Sequence, residues 1–172
     1  MISVVVPSLY RPYLVETIKS IIIQQNIGDI YIIPGSNPAA QRNEGLSKVN
    51  TVWTLFCDDD MILPPSTFAK LMAYAEKAHI VYPTIKGTYI SKSDSFLSGC
   101  VLCRTVVAKT LMWDEELIVG EDLDFAWRAL EKRFTVHYAR DVVVYHPGPV
   151  SVKPGAGIKS LAHKHPDKEI PT

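Results

Sequence analysis

Thr51-Val52-Trp53-Thr54-Leu55-Phe56-Cys57-Asp58-Asp59-Asp60 is an apolar run that ends in three consecutive carboxylates. The short apolar stretch over residues 51–57 reads as a buried strand. In extended chain alternate side chains share a side, so Asp58 and Asp60 are expected to face one way together. Two carboxylates side by side repel unless a cation lies between them. A hard divalent ion shared with substrate phosphates suits such a pair. A solvated acidic turn would read the same, and the triplet alone leaves both open.

Outward from this strand, helices and strands alternate. Residues 2–6 form a β-branched run closed by Pro7. Pro12 suits a first helical turn, and Leu14, Ile18, Ile21, Ile22 and Gln25 follow at helical spacing. Residues 29–33 read as a second strand, closed by Pro34-Gly35-Ser36-Asn37-Pro38, and residues 39–46 as a short helix. Beyond the triplet, Pro64 and Pro65 open a helix to about residue 77, and residues 80–82 are a strand again. That order predicts an α/β fold, a mostly parallel sheet with helices on both faces. Ligand sites in such sheets lie beyond the carboxyl ends of the strands, where the acidic triplet sits.

The later chain is less regular. Residues 89–97 are polar and read as a loop, 99–103 as a strand, and 105–111 as a short helix. Residues 121–133 form a helix with acids first and basic residues last, matching its dipole. Residues 134–138 and 142–145 read as two short strands. From residue 147 the composition turns to Pro, Gly, Lys and His, which predicts loop with at most a short helix over 158–163.

Composition narrows the function classes. The chain has 172 residues, 47% hydrophobic and 21% charged, which suits one globular domain and argues against disorder. Its formal net charge is zero, so no global field draws nucleic acid or an anionic membrane. Cys57, Cys100 and Cys103 lie in apolar stretches and read as reduced, buried residues of an intracellular protein. The start lacks the basic region of a signal peptide, and no stretch approaches the ~20 apolar residues of a membrane span. The expected location is the cytoplasm, with a peripheral membrane placement open through a partner or a lipid-linked substrate.

Three further features carry candidate chemistry. Glu121-Asp122-Leu123-Asp124 opens a helix, where acids serve either as dipole partners or as an ionised general base. Asp124 and Arg128 also have the spacing of a plain helical ion pair. His146 ends a strand before a Pro-Gly loop. Arg11 and Arg42 follow apolar segments and are candidate phosphate partners, or ordinary surface arginines.

Taken in order, these segments resemble the family 2 glycosyltransferases of GT-A (Rossmann-like) fold. Val4-Val5-Val6-Pro7-Ser8-Leu9-Tyr10-Arg11-Pro12 resembles the family's first strand and nucleotide loop. Gln41-Arg42-Asn43-Glu44-Gly45-Leu46 is similar to its A-R-N-x-G helix. Phe56-Cys57-Asp58-Asp59-Asp60 with Pro64 resembles its D-x-D segment, and Gly99-Cys100-Val101-Leu102-Cys103-Arg104 its acceptor-side strand. Trp113-Asp114-Glu115-Glu116-Leu117, then Gly120-Glu121-Asp122-Leu123-Asp124-Phe125-Ala126-Trp127-Arg128, resembles its acidic block, and Val142-Val143-Val144-Tyr145-His146 completes the series. The resemblance covers residues 2–146.

The resemblance implies a metal-dependent, inverting transfer of a sugar from a nucleoside diphosphate to a hydroxyl. It implies Asp60, with Asp58 and His146, as ligands of Mn²⁺ or Mg²⁺. It implies Asp122 as base, with Glu121 shaping the acceptor pocket. Pro7, Ser8, Arg11, Arg42, Asp58 and Asp59 would bind the donor. The acceptor, a glycan, lipid or protein, is not specified. The expected organisation is a GT-A domain over residues 1–146 and a tail over 147–172. Lys153, Lys159, His163, Lys164 and His165, with Gly155 and Gly157 as flexible points, make that tail a candidate lid or a solvated basic end. The chain is short for the family, so the acceptor side is expected to be open, or completed by a second subunit or a membrane, and a homo-oligomer is open.

One departure stands out. The family's second strand usually ends in an acid, and this chain has Ile33-Pro34-Gly35-Ser36. Reading of uracil by a carboxylate there is therefore not expected. The rival readings are an inactive nucleotide- or partner-binding homologue and a sugar nucleotidyltransferase. The latter needs a Gly-rich phosphate loop that Ser8-Leu9-Tyr10-Arg11 supplies poorly. A dehalogenase-like phosphatase needs an Asp after the first strand, where Pro7-Ser8 stands.

Overall fold

Alternation along the central strands decides which helix goes where. The computed structural model describes residues 1–87, 99–117, 119–147 and 158–168. Strand β1 (Ile2–Ser8) is buried along its whole length, and so is β3 (Trp53–Cys57). Val4, Val6, Leu55 and Cys57 face one side, where they meet Ile21 of α1 (Leu14–Ile22) and Phe68 and Leu71 of α3 (Thr67–Ala75). Val5 and Phe56 face the other side. There they meet Ala39 and Leu46 of α2 (Pro38–Lys48), Val107 and Leu111 of α4 (Thr105–Leu111), and Phe125 and Ala129 of α5 (Glu121–Glu131). Strands buried on both faces read as continuous apolar runs, which is what 2–6 and 51–57 are.

The sheet has six strands in the order β2-β1-β3-β5-β4-β6, with β2 Ile27–Pro34, β4 Ile80–Gly87, β5 Cys100–Arg104 and β6 Val136–His146. β1 pairs in parallel with β2 and β3, and β4 with β6. β5 runs antiparallel to both of its neighbours, so the sheet is mixed at its centre. Strand polarity is invisible in an apolar run such as Cys100-Val101-Leu102-Cys103.

Other differences from the sequence reading are local. The two expected terminal strands are one, β6, with a register shift where Pro83 opposes Ala139 and Thr84 opposes Val143. Arg140 and Asp141 fall in that irregularity and gave the appearance of a break. α3 begins at Thr67, because Pro64 and Pro65 belong to a turn in which Thr67 N–H bonds to the Pro64 carbonyl. The short tail helix is present as α6 (Ile158–Lys164). The expected loop over residues 89–97 lies outside the described residues, as do Lys153, Gly155 and Gly157 and the side chain of Lys159.

One glycine sets a close approach. A Cβ on Gly45 would lie 2.3 Å from a Val5 methyl, so α2 rests directly against β1. The parallel strands β1, β3, β4 and β6 all point their carboxyl ends to one pole, and β1 sits where chain order reverses between β2 and β3. The candidate site gathers at that pole. No helix among the described residues is long and apolar enough to cross a membrane.

Candidate active site at the carboxyl pole of the sheet

The acidic triplet does three different jobs. β3 ends at Cys57, and the chain turns at once, with Met61 N–H bonded to the Asp58 carbonyl at 3.3 Å. Alternation therefore stops where the acids begin, and Asp58 and Asp60 diverge.

Asp59 points back under the β1 loop. Its Oδ2 accepts from Ser8 Oγ at 2.8 Å, Leu9 N at 2.8 Å and Arg11 N at 3.3 Å. Ser8 Oγ in turn accepts from Tyr10 N at 2.9 Å, and Tyr10 sits at φ 56°. A carboxylate that is 1% exposed and takes three donors is a clamp that shapes the loop. Asp59 and Ser8, expected to touch the donor, are thus turned inward to each other. Pro7 is likewise buried in the sheet, opposite Ile33.

Asp60 turns toward β6. Its Oδ2 meets the Arg11 guanidinium and lies 3.3 Å from His146 Nε2. Burial works against the Asp60 charge, yet the His146 hydrogen bond and Arg11 outweigh it and hold the carboxyl below its ordinary range. His146 arrives there because β6 pairs with β4 to the end, with Gly87 opposite His146.

Asp58 turns the third way, to Arg42 of α2. The Arg42 guanidinium is 1% exposed and lies between Asp58 Oδ1 (2.8 Å from Nη2) and Glu121 Oε1 (2.9 Å from Nη1). It also lies over the Trp113 ring, 4.7 Å from its centroid. Burial opposes the Arg42 charge, but the two carboxylates more than compensate and push its pKa further up. Burial raises the Asp58 carboxyl, and Arg42 offsets only part of that. Arg42 and Glu121 were expected to meet donor and acceptor; here they form a buried bridge that ties α5 to the end of β3.

Asp122 follows Glu121 in the first turn of α5. It is half-buried, with Oδ1 accepting from Leu123 N at 2.9 Å. Burial and then the Asp122 charge push the Tyr82 phenol on β4 well above its ordinary pKa.

The expected metal ligands come together in part. Asp60 and His146 bring an oxygen and an imidazole nitrogen to one place, and Asp60 Oδ1 is buried with no hydrogen-bond partner. Asp58 does not join them, since it is bound to Arg42. Among the described residues no three His, Cys, Asp or Glu side chains form a ready cluster. The pair fits a cation that takes its remaining ligands from a diphosphate, as Mg²⁺ commonly does.

Several supporting residues were not singled out from sequence. Gln41 Nε2 donates to the Ser8 and Ile33 carbonyls at 3.1 and 2.6 Å and joins the ends of β1 and β2. Asn43 Nδ2 donates to the Trp113 carbonyl at 2.9 Å, and Asn43 Oδ1 accepts from Trp113 N at 2.8 Å. Trp113 stacks on Phe125 at 4.2 Å. The available signal was Gln41-Arg42-Asn43 itself, three polar residues in succession on a helix flanked by buried strands.

The described tail residues make their contacts at α5 and the segment before it. Lys164 pairs with Asp114 and Glu116, and His165 with Asp124, while His163 is exposed. The described end of the tail therefore packs beside α5.

Comparison with known proteins bears on the family and the fold. Residues 23–132, more than half of the chain, match the family described as "Glycosyl transferase family 2". No curated protein matches by sequence. Among solved structures, S. aureus TarS 1-349 in complex with UDP is similar, with a TM-score of 0.68 and 17% identity over 86% of this chain. The same TarS fragment with UDP-GlcNAc gives 0.69 and 17% over 92%. The longer S. aureus TarS chain gives 0.70 and 15% over 99%. This chain spans 60% of the TarS fragment and 40% of the longer chain. At such identity the likeness concerns the fold.

Proposed function

This chain belongs to glycosyl transferase family 2, and from that premise we propose that it moves a sugar from a nucleoside-diphosphate donor to a hydroxyl acceptor, with Asp122 as base. The observation that carries the reading is the Arg42 bridge. By joining Asp58 to Glu121 it fixes the end of β3, where donor phosphates would lie, against the helix turn that presents Asp122. The bound UDP and UDP-GlcNAc of the TarS structures support a UDP-sugar as donor class.

In this reading Asp122 takes the acceptor hydroxyl proton, the acceptor oxygen bonds to the anomeric carbon, and the bond from that carbon to the diphosphate oxygen breaks. Attack opposite the leaving group inverts the centre. Arg11 supplies positive charge where the diphosphate charge develops. Asp60 and His146, the remnant of the D-x-D reading, would hold Mn²⁺ or Mg²⁺, which when bound neutralises that charge. Asp59 keeps the loop of Ser8 to Arg11 in the shape that receives the nucleotide. The acceptor is a glycan, lipid or protein hydroxyl. The proposed setting is the cytoplasm or its membrane surface, and the acceptor side is open or completed by a second subunit or a membrane.

Turnover of a panel of UDP-sugars with Mn²⁺, in wild type and Asp122→Asn, tests this. The expected outcome is a loss of about 10²-fold or more in rate with donor affinity kept, the usual weight of a general base. Equal turnover in both proteins removes Asp122 from the chemistry. Nucleotide binding without turnover in wild type favours the inactive-homologue reading.

A further inference from the structure

The first turn of α5 is gripped from two sides, and only one grip has been explained. Arg42 holds Glu121 from the sheet side. From the other side comes α6. His165 Nε2 lies 2.9 Å from Asp124 Oδ1, with His165 8% and Asp124 2% exposed. The other carboxylate oxygen, Oδ2, accepts from Arg128 Nε at 2.8 Å, and Arg128 also donates to the Leu111 and Met112 carbonyls. Arg128 is thus anchored to the end of α4, and among the described residues His165 is the partner seen on Oδ1. The Trp127 ring stands edge-on to the imidazole at 5.0 Å.

Two more contacts join the same elements. Lys164 Nζ pairs with Asp114 and Glu116 in the segment that leads to α5. Leu161 packs on Gly120, the residue before α5, which sits at φ 87° and gives no side-chain cap. A helix start without a cap has loose first-turn amides unless something else fixes it.

We propose that His165 is a positioning residue for Asp122, acting through Asp124, and that α6 is the strap that brings it there. The inference rests on the reading of Asp122 as base. Asp122 and Asp124 share one helical turn, so a carboxylate anchored at 124 fixes the backbone that presents 122. The donor groups named above sit on the β1 loop, after β3 and at the end of β6, whereas His165 meets Asp124 and Trp127 of α5. Loss of His165 should therefore change the chemical step and spare donor binding. Misplacing a catalytic group by about an ångström can cost as much as 10²-fold in rate.

The test uses the full chain with His165→Ala and His165→Gln, the latter keeping a neutral donor for Asp124. Amide exchange over residues 121–124 should rise about tenfold in the alanine variant, with the amides of residues 9–11 unchanged. In the same variant kcat should fall about tenfold while the donor KM stays within about twofold, and glutamine should restore most of both. Unchanged exchange at 121–124, or a donor KM that rises in step with the fall in kcat, overturns the proposal. If wild type shows no turnover, the transferase reading fails instead, and the exchange comparison alone decides whether His165 holds this turn.

Discussion

Arg42 is the residue on which both halves of the site depend. A guanidinium that is 1% exposed and paired with two carboxylates is tolerable only because its charge is met on both sides. Replacing it with an apolar side chain of similar length leaves Glu121 buried beside Asp58 with no cation between them. Breaking a buried pair by removing one partner costs about 3–5 kcal/mol, and the partial exposure of Asp58 places Arg42→Met near 3. Urea unfolding should show that loss, and adding Glu121→Gln should recover part of it. A double variant no more stable than the single one would mean that the bridge is not what Arg42 contributes. From sequence, Arg42 reads as a phosphate partner, because a spacing pattern shows a charge and not the other charges that fold against it. Asp59 has the same history: its three donors come from residues some 50 positions away in the chain, which no local pattern contains.

At the scale of elements, legibility followed locality. The strands at 2–6 and 51–57 and the helix at 121–133 carry their burial in their own periodicity, and each is found where expected to within a few residues. The polarity of β5 and the continuity of β6 depend on partners across the sheet, and these the sequence did not show. The place of α6 was illegible for the same reason. Its anchors, Asp114, Glu116 and Asp124, look like capping and surface acids until Lys164 and His165 fold onto them. The Lys164 pair also gives this element a pH window. Partial burial acts to raise the Asp114 carboxyl, but Lys164 outweighs it and holds the group below its ordinary range. A depressed acid adds stability above its unfolded pKa, near 3.9, which is lost as pH falls through the folded value. Lys164 itself is raised by Asp114 and Glu116, so its share is complete below its unfolded pKa, about 10.4, and is lost as pH rises past the folded one. Protection of the α6 amides, taken relative to intrinsic exchange at each pH, should thus be greatest across the neutral range and fall below about pH 4 and above about pH 10. Asp114→Asn should remove the acid limb, and an unchanged acid limb in that variant would exclude this pair as its source.

For the whole molecule the sheet divides the work. β1 and β3 lead into the loop and turn that hold Asp59 and Asp60, α5 carries Glu121 and Asp122, and β6 brings His146 to Asp60. Asp60 and His146 offer a cation two ligand atoms, with Arg11 already beside Asp60, so a metal alone meets an incomplete and partly neutralised site. In the proposed reading a nucleoside diphosphate alone would meet Arg11 beside two carboxylates, Asp59 and Asp60. In that reading the two would complete each other, the diphosphate supplying the missing oxygens and the metal offsetting the acidic charge. Binding to the folded state stabilises it by RT ln(1 + [L]/Kd), roughly 2.7 kcal/mol at a hundredfold excess over Kd. The thermal midpoint should therefore move little with Mn²⁺ or UDP alone and by several degrees with both, more than the sum of the two. Asp60→Asn should abolish that excess while leaving the small shift with UDP alone. A full shift with UDP in the presence of a chelator would show that Arg11 and its neighbours hold the diphosphate without a metal. The Asp60–His146 pair would then act as a fixed charge lining the pocket, and the donor phosphates would owe their place to the loop that Asp59 shapes.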